Sequence, residues 1–196
     1  MTVGIIQYNA GNIQSVVFAL NRLGVTPVLS NDPQQLQQTD RLIFPGVGEA
    51  SSAMAYLRRH GLDQLILQYQ RPFLGICLGL QLMCRYSQEN DTPGLNIFPI
   101  EVHRFPPENK VPHMGWNAIG TLHSPLFEGI PEGAYTYFVH SYFAPLCEWT
   151  IATTEYILPF SAALHRDNFY AVQFHPEKSG QIGERILANF LNLSDT

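Results

Sequence analysis

Cys77 is the first residue whose type and surroundings suggest chemistry. It lies in the segment Gly75-Ile76-Cys77-Leu78-Gly79, between an apolar run and a stretch with helical periodicity. This is the cysteine form of the G-x-S-x-G pattern, in which a sharp strand-to-helix turn exposes a nucleophile. Small neighbours let strand and helix pack closely, and a helix N-terminus favours a thiolate. The pattern alone is ambiguous, because cysteines in apolar runs are often only buried, as we expect of Cys84 and Cys147.

A histidine and an acid follow another apolar run, in Phe174-His175-Pro176-Glu177. Pro176 favours an extended backbone at His175, and residues two apart in an extended chain face the same side. A histidine can accept a thiol proton, and a carboxylate can hold the imidazole in the required tautomer. Together with Cys77, this order predicts a Cys-His-Glu triad. The isolated histidines are interpreted as ordinary hydrogen-bonded residues: His60, His123 and His165.

The loop Pro45-Gly46-Val47-Gly48 also follows an apolar run. Two glycines around one residue free the peptide planes to turn, so that the Val47 N–H can point at a developing oxyanion. The N–H of Leu78 would be the second donor. Taken alone, the loop would be interpreted as an ordinary turn.

The elements that must position these residues alternate between strands and helices in the first 90 residues. Apolar runs predict strands, and 3.6-residue periodicity predicts helices. The predicted strands are residues 3–8, 27–30, 41–44 and 72–76. The predicted helices are residues 12–24, one beginning at Asp32-Pro33, then 50–57, 62–69 and 78–86. This alternation predicts a parallel sheet covered on both faces.

The second half has shorter runs, rich in aromatic and β-branched residues, which predict strands. Examples are residues 100–105, 134–140 and 169–174, and a last helix is predicted over 183–193. The expected fold is therefore α/β, with a mixed, mostly parallel central sheet, helices on both faces and a strand-rich second half. We expect one domain over residues 1–196.

Composition limits the possible partners. A chain of 196 residues with 45% hydrophobic content can fold without a metal or disulfide. Its net charge of −5, with Lys110 and Lys178 its only lysines, argues against nucleic acid or an anionic membrane as partner. Three cysteines without a CxxC pair, and no basic segment before the first apolar run, predict a reduced cytoplasmic protein without a signal peptide. The scattered His and Cys show no metal-ligand spacing, so we expect neither metal nor cofactor.

Three segments together resemble the class I glutamine amidotransferases, whose triad is Cys-His-Glu and whose fold is flavodoxin-like: GICLGLQ, FPGVG and FHPEKS. Residues 8–13 (YNAGNI), 112–117 (PHMGWN) and 137–142 (YFVHSY), with Lys178, narrow this to the family of glutaminase subunits of imidazole glycerol phosphate synthase, in histidine biosynthesis. The resemblance covers nearly the whole chain, from residue 3 to the final helix.

The resemblance implies a role for each matching residue. Cys77 would attack the side-chain amide of L-glutamine and form a γ-glutamyl thioester. His175 would act as base and then as acid, Glu177 would orient it, and Val47 and Leu78 would form the oxyanion hole. The positions that match the glutamine pocket are Gly46, Gly48, Gln81, Glu89, Ser141 and Tyr142.

The family's partner is a TIM-barrel cyclase, which forms a heterodimer with the glutaminase and receives its ammonia. The cyclase converts a phosphoribulosyl-formimino aminoimidazole carboxamide nucleotide to imidazole glycerol phosphate and an aminoimidazole carboxamide ribotide. The positions that match the partner-facing side are Asn12, Trp116, Asn117 and Lys178. The chain has no P-loop and almost no lysine, which independently favours placing this doubly phosphorylated substrate on another polypeptide. We also expect the Gly46–Val47 peptide to rest with its N–H turned away and to rotate when the partner docks.

Four other interpretations remain open from the sequence. The chain could be the glutaminase component of another amidotransferase, as in an aminobenzoate pathway, although HPEKS fits that less well. It could be a stand-alone γ-glutamyl cysteine hydrolase, against which the PHMGWN segment counts. A non-catalytic protein with a relic triad is disfavoured by the intact Cys77, His175 and Glu177, and a zinc protein by the absence of ligand spacing.

Overall fold

A computed structural model describes residues 1–8 and 13–194 of the chain. Its helices are α1 (Ile13–Arg22), α2 (Pro33–Gln37), α3 (Ala50–Arg59), α4 (Leu62–Gln68), α5 (Leu78–Met83) and α6 (Gly180–Leu191). Its strands are β1 (Val3–Ile6), β2 (Val28–Ser30), β3 (Arg41–Phe44), β4 (Phe73–Ile76), β5 (Cys84–Ser87), β6 (Thr92–Pro93), β7 (Phe98–Arg104), β8 (His113–Ile119), β9 (Ala134–His140), β10 (Tyr142–Phe143), β11 (Thr150–Tyr156), β12 (Leu158–Arg166) and β13 (Phe169–Val172). Short 3₁₀ helices cover Glu89–Asp91, Pro125–Phe127 and Pro176–Lys178.

The central sheet has the order β11-β12-β13-β4-β3-β1-β2 among the described residues. The pairs from β2 through β13 are parallel, and β12 and β11 add antiparallel strands at one edge. The predicted mixed, mostly parallel sheet is therefore confirmed. The strands β1, β3, β4 and β13 are buried at every position, as expected for parallel strands covered on both faces.

Two apolar cores cover the two faces of this sheet. One includes α1 and α6 and contains Leu20, Phe138 and Phe190, and the other includes α3, α4 and α5 and contains Leu57, Ile66 and Leu80. Helix α1 is amphipathic and buries Val16, Ala19 and Leu20. Because each helix presents one apolar stripe, the helices can pack on the sheet only in these two layers.

Several element boundaries differ from the sequence predictions. The helix expected over residues 78–86 ends at Met83, where Cys84 turns extended and Cys84–Ser87 pairs with the strand Phe98–Arg104. That pairing is long-range, so helical periodicity alone did not reveal it. The final helix begins at Gly180, three residues before the predicted start. Among the described residues, each helix is too short or too polar to cross a bilayer.

The strand register places the predicted site residues at one edge of the sheet. Phe44 lies opposite Gly75, and Gly75 lies opposite Ala171. The carboxyl ends of β3, β4 and β13 therefore meet, and each continues into one of the three predicted site segments. Catalytic and binding groups of open α/β sheets lie at this edge.

Candidate active site

The turn at Cys77 has the geometry of a nucleophile elbow. Its φ of 53° and ψ of −105° are unusual for a side-chain-bearing residue. The conformation is fixed on both sides, because the Cys77 N–H donates to Val172 O (2.8 Å) and the Gln81 N–H donates to Cys77 O (3.2 Å). A Cβ on Gly79 would lie 2.2 Å from the backbone oxygen of Phe44, so only glycine lets α5 approach β3 this closely.

His175 and Glu177 form a buried pair. His175 Nδ1 lies 2.8 Å from Glu177 Oε1, and the side chains are 1% and 2% exposed. The backbone is extended at His175, but Pro176–Lys178 is a 3₁₀ helix, so simple strand alternation is not what aligns the two side chains. Because a carboxylate only accepts, Nδ1 carries the hydrogen and Nε2 is left as the base.

The electrostatic surroundings favour the charged form of His175. Burial by itself lowers its pKa, but a negative charge on Cys77, a hydrogen bond with the Cys77 side chain and the Glu177 carboxylate outweigh burial and raise the pKa to about 10. The imidazole is therefore close enough to Cys77 to stabilise a thiolate and to receive its proton.

The two predicted oxyanion donors are not assembled in this structure. The Leu78 N–H donates to Gly46 O at 3.3 Å. Since a trans peptide directs its C=O and N–H to opposite sides, the Val47 N–H points away from Leu78. The loop is held at its start by Tyr8, whose hydroxyl donates to Pro45 O (2.7 Å). Burial, and secondarily Cys77, raise the pKa of Tyr8, so this hydroxyl keeps its proton.

A cavity of about 290 Å³ opens beside Cys77. It is lined by all the residues that were predicted to bind glutamine or form the oxyanion hole: Gly46, Val47, Gly48, Leu78, Gln81, Glu89, Ser141 and Tyr142. The sequence analysis gave no role to three further lining residues, Pro112, Val139 and His140.

Gln173 is a buried residue of the site that sequence reasoning missed. Its Nε2 donates to Cys77 Sγ (3.6 Å), and its Oε1 accepts from Gln81 Nε2 (3.2 Å). Gln81 Nε2 also donates to Tyr142 O at 2.9 Å. Gln173 lies two residues before His175, and this spacing, typical of side chains that share one side of an extended chain, could have pointed to it.

Glu89 lies half-buried at the rim of the cavity. Its Oε2 accepts from the Ala50 N–H at 2.9 Å. Burial raises the pKa of Glu89 and the Glu49 carboxylate adds to this, while the Ala50 bond opposes it. Glu49 itself caps α3 through Ser51 and Ser52, and these hydrogen bonds, with that from Asn90, outweigh desolvation and lower its pKa to about 2. Glu89 is the only carboxylic acid among the described residues that line this cavity.

Of the predicted partner-facing residues, Trp116 and Lys178 both contact Tyr137 on one exposed strip, whereas Asn117 lies on the opposite side of β8 and Asn12 lies outside the described residues. Trp116 is 56% exposed and packs edge-on against Tyr137 (6.0 Å), and Lys178 Nζ lies 5.8 Å from the Tyr137 ring. Asn117 is half-buried and donates to Glu155 O. We call the surface formed by Met114, Trp116, Tyr135 and Tyr137 the β8–β9 face. The register puts these four on the same side as Val139, whose oxygen faces Cys77 Sγ.

Comparison with known proteins decides the family. The class I glutamine amidotransferase family matches residues 5–193. An imidazole glycerol phosphate synthase subunit HisH from Bacteroides thetaiotaomicron is 58% identical, over 98% of this chain and 100% of the relative. The chain is a class I glutamine amidotransferase of the HisH family. A HisH protein from Yersinia pseudotuberculosis is 45% identical with the same coverage.

Solved structures show the same fold at lower identity. A crystal structure of a glutamine amidotransferase superposes with a TM-score of 0.76 at 21% identity, covering 97% of each chain. The glutaminase domain of a Trypanosoma brucei CTPS, with bound acivicin, gives 0.63 at 14% identity, with 100% of this chain and 96% of that one covered. The HisH-family chain therefore has the amidotransferase fold throughout its described length.

Proposed function

We propose that this amidotransferase is the glutaminase subunit of an imidazole glycerol phosphate synthase. It hydrolyses L-glutamine to glutamate and ammonia and passes the ammonia to a cyclase partner. The observation that carries the proposal is the 58% identity to a HisH protein over 98% of this chain and 100% of the relative. The cavity beside Cys77, together with the buried His175–Glu177 pair, gives that assignment its chemistry.

In the proposed mechanism, His175 Nε2 first takes the Cys77 proton, and the resulting thiolate, paired with the imidazolium, attacks the carboxamide carbon of glutamine. The tetrahedral intermediate expels ammonia, protonated by His175, and leaves a γ-glutamyl thioester. His175 then removes a proton from water, which attacks the thioester and releases glutamate and the thiolate. Glu177 holds Nδ1 throughout, so that Nε2 always faces the reaction.

The cavity residues suit the zwitterionic end of glutamine. Glu89 supplies a carboxylate for the α-ammonium. Both N–H groups of Gln81 are used within the protein, by Tyr142 O and Gln173 Oε1, which leaves the carbonyl oxygen of Gln81 to accept from a ligand. The backbone at Ser141 and Tyr142 lines the same wall.

The β8–β9 face is the proposed docking surface for a TIM-barrel cyclase. Met114, Trp116 and Tyr135 are each more than half exposed, an unusual cluster of large apolar side chains. Trp and Tyr are enriched at binding hot spots, and Lys178 lies over Tyr137 at the polar edge of this face. In this arrangement the lyase chemistry belongs to the cyclase, and the glutaminase contributes ammonia.

Replacing Trp116 with alanine is expected to weaken cyclase binding by about 10- to 100-fold, the usual effect of truncating a central aromatic residue. Isothermal titration of the cyclase into each chain measures this. Leu67→Ser on α4 is the matched control, since Leu67 is also an exposed large apolar residue. If both variants lost cyclase affinity equally, the β8–β9 face would not be the cyclase interface.

The Gly46 peptide predicts that the free chain is a poor glutaminase. The Gly46 carbonyl occupies the Leu78 N–H, and the Val47 N–H points away, so the site lacks its pair of oxyanion donors. Each missing donor costs about 10²- to 10³-fold in rate. We propose that docking of the cyclase rotates this peptide. Glutamate release should therefore rise at least about 100-fold when the cyclase is added.

The same assay tests the proposed function. Vigorous hydrolysis by the free chain, unchanged by the cyclase, would contradict the gate and favour a stand-alone hydrolase. Failure of glutamine to support imidazole glycerol phosphate formation by the mixed subunits would contradict the assignment itself.

A further inference from the structure

Two buried histidines that the mechanism does not use form a hydrogen-bonded pair, of which His140 lines the glutamine cavity. His113 Nδ1 is 3.2 Å from His140 Nε2, and His140 Nδ1 is 2.7 Å from Tyr142 O. At the other end, Asn117 Nδ2 is 3.4 Å from His113 Nε2. The two rings therefore form one hydrogen-bonded chain between Asn117 and the Tyr142 carbonyl.

The ends of this chain determine where its protons are. The Tyr142 carbonyl can only accept, so His140 carries its hydrogen on Nδ1. The Asn117 amide is oriented by two backbone groups, because its Nδ2 donates to Glu155 O (2.9 Å) and its Oδ1 accepts from the Ala118 N–H (2.8 Å). Asn117 thus donates to His113 Nε2, and His113 donates from Nδ1 to His140 Nε2. Every ring nitrogen has one partner when both rings are neutral.

The surroundings keep both rings neutral. His113 stacks on Tyr156 (ring centroids 4.1 Å apart) and on Phe138 (5.0 Å). Phe105 contacts His113, Phe160 contacts His140, and the two phenylalanine rings contact each other. Burial lowers the pKa of His113 to about 4. Burial also lowers the pKa of His140, to about 3, against the opposing effect of its Tyr142 bond. Polar rings in an aromatic cluster cost stability unless they are hydrogen-bonded, as these are.

The chain continues from Tyr142 to the nucleophile. The Tyr142 carbonyl also accepts from Gln81 Nε2, whose second hydrogen goes to Gln173 Oε1. Gln173 Nε2 then donates to Cys77 Sγ. The hydrogen bonds therefore run without a break from Asn117, on the strand that carries Trp116, to the sulfur.

We propose that His113 and His140 are positioning residues for glutamine hydrolysis. As neutral rings with fixed tautomers they hold the Tyr142 carbonyl, and through it they orient the Gln81 and Gln173 amides around substrate and sulfur. Their far end, Asn117, links this orientation to the strand of the β8–β9 face. The inference deepens the proposed function and rests on it for the identity of the substrate.

The test compares variants that keep or remove one donor. His140→Asn keeps an amide N–H where Nδ1 lies, whereas His140→Phe fills the space with an apolar ring. We expect His140→Phe to raise the KM for glutamine about tenfold, the value of one buried hydrogen bond, and His140→Asn to remain within about threefold of the parent. At position 113 we likewise expect the Phe variant to raise the KM for glutamine more than the Asn variant, with smaller changes than at position 140. Measurements use the chain in complex with its cyclase.

Two controls separate positioning from general damage. His165→Phe changes a histidine that stacks on Tyr170 away from the cavity, and should leave KM unchanged. Thermal unfolding identifies a variant whose KM changes through loss of folding. If His140→Phe keeps the parent KM, or if His140→Asn is no better than the equally folded Phe variant, the positioning role is wrong.

A measurement on the unmodified chain avoids mutation altogether. Nitrogen-15 NMR of the imidazoles at neutral pH should show both His113 and His140 protonated on Nδ1 and unprotonated on Nε2. An Nε2–H tautomer or a charged ring at either position would overturn the proposed chain. Absence of glutamate release by the unmodified complex would instead contradict the proposed function, so the two failures are distinguishable.

Discussion

The Cys77→Ala chain, assembled with its cyclase, is expected to lose glutamine-dependent synthesis by about 10³-fold or more. Among the described residues that line the cavity, Cys77 carries the only thiol that can form the thioester. Synthesis from added ammonium salts should continue at the parent rate, since the cyclase chemistry needs only ammonia. Product formation with glutamine and with ammonium, measured side by side, gives the two rates.

Cys147→Ala provides the matched control for this experiment. Cys147 is a half-buried cysteine outside the cavity, hydrogen-bonded to Thr150, and its loss should change neither rate. Loss of the ammonium-dependent rate in Cys77→Ala would contradict the proposed division of labour between subunits. Retention of the glutamine-dependent rate would contradict Cys77 as the nucleophile.

The parallel half of the fold was the part most accessible to sequence reasoning. Strands such as Arg41–Phe44 and Phe73–Ile76 are buried on both faces, so their sequences are almost wholly apolar and they stand out between amphipathic helices. Helical periodicity predicts a helix through residue 86, although residues 84–87 form a strand, because the partner strand Phe98–Arg104 lies beyond a 3₁₀ helix and the strand Thr92–Pro93. Local periodicity carries no information about such pairing.

Some features of the site could also be predicted from the sequence, and others could not. Cys77, His175 and Glu177 follow directly from chemistry and chain order, and the strand register explains why they share one sheet edge. The orientation of the Gly46 peptide depends on a single hydrogen bond to the Leu78 N–H, which residue types do not specify. The chain through His113 and His140 was missed because its links join positions 27 residues apart across a hairpin.

Glu177→Gln should show what the carboxylate contributes beyond packing. An amide can offer its N–H to Nδ1 and so favour the wrong tautomer of His175, which we expect to lower kcat by about 10²- to 10⁴-fold. Glu177 also helps to raise the pKa of His175, so its removal should lower that pKa. Because the basic limb of the rate profile follows loss of the imidazolium proton, this limb should move to lower pH.

The pH profile separates this role from a merely structural one. A variant that is only less stable would lose rate at every pH without moving the limb, and thermal unfolding would reveal it. Glu148→Gln, at an exposed acid outside the cavity, should reproduce the parent profile. If Glu177→Gln keeps both the parent kcat and the basic limb of the parent pH profile, the 2.8 Å contact with His175 does not set the tautomer. Glu177 would then have no role in the proposed mechanism.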